Sequence, residues 1–188
     1  MITIRSVYFF VFVAIFIVSI LAVGTFFYLR YQRRQRYPYG KWENLLSRLG
    51  TLDRNNIACI AQGFLDRNDE RSGDEQDLDP DRIWHLLGGM EGLEIVERNC
   101  AVLVDLVFYV QQWYPEALLV AEQLRQNARE VEWHIERLRG AAKRGRLKTA
   151  IPDYLEQAVA IYYRMTQEVI ALYRQGDLPG LADLQRSL

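Results

Sequence analysis

The residues best suited to chemistry in this chain of 188 are two histidines, two cysteines and one dense run of acids. His85, His134, Cys59 and Cys100 stand far apart, and no C-x-x-C, H-x-x-x-H or H-E-x-x-H spacing gathers donors for a zinc ion. Cys100 falls on an apolar helical stripe and reads as a small buried hydrophobe. Between Asp66 and Asp81 lie eight acids and two arginines, with Leu78 the only apolar side chain. Counted from Asp66, a calcium loop needs Gly at its sixth position and Glu at its twelfth, where Arg71 and Asp77 stand. The stretch 66–81 is therefore expected to be a solvated acidic loop, not a metal site.

Nucleophiles and phosphate cradles are no better supported. Past residue 40 the serines are Ser47, Ser72 and Ser187, none in a G-x-S-x-G setting. Gly88-Gly89-Met90-Glu91-Gly92 is glycine-rich, but it lacks a preceding strand and a Gly-Lys-Ser/Thr, so a helix–helix turn is expected there. Glu94 and Glu97 share a helix face, as exposed carboxylate pairs commonly do. No catalytic, cofactor-binding or metal-binding residue is assigned, and the chain is expected not to be an enzyme. A polar cleft between helices, holding acids with shifted pKa values, would count against that expectation.

Two clusters point to binding. Arg137, Arg139, Lys143, Arg144, Arg146 and Lys148 place six positive charges in twelve residues. Part of this complements the negative end of a helix, and some charges can face the acidic loop. The sharper reading is contact with an anionic partner, lipid headgroup or nucleic acid, although no aromatic residue interleaves the cluster to stack on bases. Trp133, with Leu118, Leu119 and Val120 nearer the start of the same helix, marks a protein-partner surface if exposed and ordinary core if covered. The core reading weighs more.

The elements that position these residues are helices. Leu93, Val96, Cys100, Leu103, Val107, Val110 and Tyr114 recur at alternating gaps of three and four. Ala117, Ala121, Leu124, Ala128, Val131, Ile135, Leu138 and Ala142 do the same, as do Leu155, Ala158, Tyr162, Met165, Val169 and Leu172. That alternation is the signature of bundles and coiled coils. Ile95, Val102, Leu106, Phe108 and Tyr109 lie off the first stripe, leaving Glu91, Arg98, Asp105 and Gln112 as its polar line; this helix should have neighbours on two faces. Shorter peripheral helices are expected around Trp42–Leu49, after Thr51 as a cap, and from Asp79-Pro80 to Leu87. No strand alternation competes.

Ahead of this domain, Ser6 to Leu29 holds no charged residue in 24 positions. A helix of that length spans about 36 Å, more than the roughly 30 Å of a hydrocarbon core. A cleaved leader would end sooner, since the apolar run continues past Ala22 and Gly24 through Leu29. Arg30, Arg33, Arg34 and Arg36 follow it, with Tyr28 and Tyr31 at expected headgroup depth. The expectation is thus an all-α chain with a single transmembrane helix in 1–29 and a basic juxtamembrane linker in 30–40. A bundle over 41–188 follows, with three long antiparallel helices and short peripheral ones. The N-terminus would lie outside and the domain would face the cytoplasm from the cell membrane, with the bilayer as one partner. A protein partner or self-association is expected as the other, nucleic acid being less favoured and no cofactor or small-molecule substrate implied. The corresponding role is a membrane-tethered, non-catalytic interaction or scaffolding module. The alternative is a membrane-anchored binder of nucleic acid or anionic headgroups through 137–148.

The net charge of −1 hides a cancellation. Five of the 23 basic residues and none of the 24 acidic ones lie in 1–36, so 37–188 carries 18 against 24, or −6.

Overall fold

The computed structural model describes residues 42–68 and 79–188, with 13, 15–21, 23–26 and 28, the side chains of 66–68 excepted. The chain divides into two compact units, Met1–Gly40 and Lys41–Leu188. Most of the acidic stretch 66–81 falls outside the described residues.

In the first unit the described residues are helical, and the Ser19 and Thr25 hydroxyls donate to the carbonyls of Ile15 and Leu21. No helix among the described residues is long and apolar enough to cross a membrane. This corrects the expected transmembrane anchor. Crossing requires about 20 residues of continuous apolar helix, and no described helix meets that requirement. Freedom from charge is a property of composition; a span also requires a helix of that length. With the anchor go the single-pass topology, the outside N-terminus, the cytoplasm-facing domain, the bilayer as partner and the membrane-tethered roles. Arg30, Arg33, Arg34, Arg36 and Tyr31, and the linker 30–40, lie outside the described residues; Tyr28 is described and exposed.

The second unit is all-α among its described residues. Its helices are α1 (Trp42–Leu46), α2 (Arg54–Asn68), α3 (Pro80–Leu87), α4 (Gly89–Val110) and α5 (Ala117–Lys143), then α6 (Leu147–Ala150). A π-helical turn (Ile151–Leu155) leads into α7 (Glu156–Gln175), and α8 (Leu181–Ser187) ends the chain. The three stripes meet as expected: Leu93, Val96, Leu103, Leu124, Val131, Ile135, Leu138, Leu155, Met165 and Val169 are all fully buried. Contacts fix the directions. Arg139 pairs with Glu97, and the Arg125 guanidinium lies over Phe108, so α4 and α5 run antiparallel. Asn99 meets Tyr162, and Leu106 meets Tyr173, so α4 and α7 run parallel, with α5 opposed to both. The core is an up–down–up bundle.

Peripheral elements close two sides. Helix α2 packs on α7, α1 on α4, α3 on α2 and α4, and α8 on α7. Asp53, not Thr51, caps α2: its Oδ1 accepts from the backbone N–H groups of Asn55 and Asn56. Between α3 and α4 the chain reverses at Gly88, whose φ of 85° is costly for any residue with a Cβ. Gly92 permits the close crossing that follows, because a Cβ there would stand 1.8 Å from the Leu87 carbonyl oxygen.

One buried side chain fastens the periphery to the core. Asn99 is 1% exposed. Its Oδ1 accepts from the Gly50 N–H at 2.8 Å, and its Nδ2 donates to the Gly50 carbonyl at 2.9 Å and the Tyr162 hydroxyl at 3.2 Å. The amide thus pairs with the Gly50 backbone as a neighbouring strand would. Nearby, Arg48 reaches Asp105 at 2.8 Å, occupying the polar line of α4.

Candidate functional site

The first turns of α5 carry the residues that composition alone left between core and surface. Leu118 is 50% exposed and Leu119 80%. The core reading does not hold for them, because α1 covers α4 and α8 covers α7, leaving the start of α5 without a described cover. Leu119 stands on a groove of about 350 Å³ between α5 and α7, with Val120, Gln123, Glu168, Ala171, Leu172 and Gln175. Glu168 Oε2 is buried there without a hydrogen-bond partner among the described residues. Burial raises its carboxyl above the ordinary carboxylate range, opposed by the charge of Arg164.

Trp133 lies about four turns beyond Leu119 along α5 and is not joined to that groove. It remains 48% exposed, yet Tyr154 and His134 stand edge-on to it at 5.8 and 4.9 Å between ring centres. The Arg137 guanidinium sits 4.9 Å from its ring centre. The sequence grouped Trp133 with Leu118 and Leu119; the fold separates them.

The six cations of 137–148 also divide. Arg139 pairs with Glu97 at 2.6 Å and Glu136 at 2.9 Å, and Lys148 with Asp81 at 2.5 Å, so these two serve internal contacts. Lys143 is exposed. Arg137, Arg144 and Arg146 instead line one pocket of about 220 Å³ with Thr149, Asp153 and Tyr154.

The dispersed titratable groups stay dispersed. Cys59 is exposed, and Cys100 is buried, its thiol pushed up by burial first and by the charge of Glu97 second. Among the described residues no three His, Cys, Asp or Glu side chains gather as a metal site. His134 is buried; burial lowers its pKa, against the raising effect of Glu130 at 3.9 Å. A further recess of about 240 Å³, lined by Trp42, Tyr109, Trp113, Tyr173 and Asp183, joins α1, α4, α7 and α8.

Sequence reasoning missed Glu168, which lies just outside the third stripe and reads as one more surface acid. It also missed the recess, whose aromatics come from separate segments. No protein family, no curated protein and no solved structure matches this chain.

Proposed function

We propose that residues 41–188 form a non-catalytic helical interaction module that pairs with a second copy of this chain through the face around Leu119. A knob beside a hole carries the reading: Leu119, 80% exposed, stands at the rim of an apolar groove of about 350 Å³. A patch holding both a protruding side chain and a recess is complementary to its own image across a two-fold axis. Leu118 and Val120 widen the apolar surface around that knob. Buried aliphatic or aromatic anchors of this kind supply most of the energy at interface centres.

The polar groups of the groove support the same occupant. Glu168 Oε2 lacks a described partner; Gln175 lines the same groove with an amide donor, and Gln123, whose Nε2 donates to Asn127 Oδ1, keeps a second N–H. In a two-fold pair the second copy brings those donors to a carboxylate that burial has stripped of water. No membrane attachment enters this reading.

Amide hydrogen exchange on the full chain at low and high protein concentration tests it. Protection that rises with concentration over 117–123 and 168–175, and not over 80–90, is the expected result. Identical exchange at both concentrations in the two groove segments overturns the reading.

A further inference from the structure

The arginine-lined pocket lies at the far end of α5 from Leu119 and does not depend on the pairing of that face. Its geometry starts with a loop that reverses the chain. Helix α5 ends at Lys143, Gly145 takes a φ of 68°, and α6 begins at Leu147. The turn brings Arg146 and Thr149 opposite Arg137 and Arg144, around about 220 Å³ of open space. A water's share of liquid is about 30 Å³, so the space has room for a phosphate group.

Two of the three guanidiniums are directed by something other than an acid. Arg137 rests on the Trp133 ring, 4.9 Å from its centre. Arg144 turns back along α5 over Gly140, where a Cβ would stand 3.5 Å from both of its terminal nitrogens. Neither these two nor Arg146 has an ion-pair partner among the described residues, whereas Arg139 and Lys148 are already paired. Asp153 is the one carboxylate in the lining. Three guanidiniums against one carboxylate leave two formal positive charges.

That balance selects among anions. A carboxylate or a phosphodiester brings one negative charge, whereas a phosphomonoester brings about 1.5 to 2 and three acceptor oxygens. Planar forked donors match those oxygens two at a time. We infer that the Arg137–Arg144–Arg146 pocket is a binding site for a phosphomonoester dianion, with the Thr149 and Tyr154 hydroxyls as further donors. The carrier of the phosphate is free phosphate, a small phosphorylated metabolite or a phosphorylated side chain; the shared chemistry is the dianion.

Calorimetric titration of the full chain with inorganic phosphate, phosphoserine and a short single-stranded oligonucleotide tests the site. Saturable binding of one phosphate or phosphoserine per chain is expected, the tighter of the two showing whether the carrier is recognised. Arg144→Gln and Arg146→Gln should each weaken it by roughly tenfold or more. These side chains are exposed, so the variants should keep the helical circular dichroism of the parent. Asp153→Asn should tighten binding, a gain that general damage to the fold would not produce. Absence of saturable binding overturns the inference, as does equal affinity in the arginine variants. Binding of the oligonucleotide alone would assign the pocket to phosphodiesters and also overturn it.

Discussion

Removing the Asn99 amide tests how the peripheral segment is held to the bundle. The side chain makes three hydrogen bonds, two to the Gly50 backbone and one to the Tyr162 hydroxyl. A net contribution of about 1 kcal/mol for each bond gives roughly 3 kcal/mol for Asn99→Ala. The three bonds are not equivalent. Gly50 is half-buried, so its N–H and carbonyl recover water when the amide is gone, whereas Tyr162 is 3% exposed. Burial pushes the Tyr162 phenol up to about 12, consistent with a hydroxyl that has little water to fall back on. Tyr162→Phe removes only the third bond and should cost about 1 kcal/mol. In the Asn99→Ala background the same change should cost less, because the shared bond is already absent. Urea unfolding of the full chain followed by circular dichroism measures all four corners of this cycle. With a slope of about 1–3 kcal/mol/M, a loss of about 3 kcal/mol moves the Asn99→Ala midpoint down by at least about 1 M. A midpoint unchanged within error, or a Tyr162→Phe penalty as large as that of Asn99→Ala, would refute the reasoning.

Two glycines should respond in opposite directions to alanine. Gly92→Ala places a Cβ 1.8 Å from the Leu87 oxygen and should cost about 2 kcal/mol or more, while Gly140→Ala meets only the Arg144 side chain at 3.5 Å and should gain about 0.5–1 kcal/mol, both read from the urea midpoint. His134 should make stability fall on acidification. Burial holds its pKa below the ordinary 6.5, so the unfolded chain binds the extra proton first and stability drops as pH falls from 6.5 towards the folded value. His134→Gln should remove that component from the difference in unfolding free energy between pH 7.5 and pH 5.5; an unaltered difference would contradict it.

The parts of the fold that repeat were legible in the sequence, and the parts built from single residues were not. Alternating gaps of three and four located the buried stripes of α4, α5 and α7 because burial of a helix face imposes that period on every turn. The glycine pair at 88–89 ended one helix and began the next because few residues other than glycine tolerate the backbone there. Asn99 escaped notice since one amide within an apolar helix looks like an interruption until its partner, 49 residues away, is known. A proline favours the first turn of a helix, and Pro152 stands just ahead of the third stripe. The chain is already helical from Leu147, and the proline is absorbed in the π-helical turn Ile151–Leu155. Of the basic cluster, spacing showed the charge but not that internal acids take Arg139 and Lys148. The uncharged run 6–29 misled for a different reason: composition over 24 positions was taken to imply a spanning helix, and no described helix is long and apolar enough to cross a membrane.

Self-pairing through Leu119 is tested most directly by the mass of the protein in solution. Sedimentation equilibrium of the full chain over a wide concentration range, beside Leu119→Glu, reads it. Burying a leucine contributes about 1.5–3 kcal/mol, and a two-fold pair buries two, so the substitution should weaken association roughly a hundredfold or more. Because Leu119 is 80% exposed, the variant should keep the fold of the parent. The account predicts a dimer that dissociates on dilution and a variant that stays monomeric in the same range. A parent that is monomeric throughout, or one whose association is untouched by the glutamate, would contradict it.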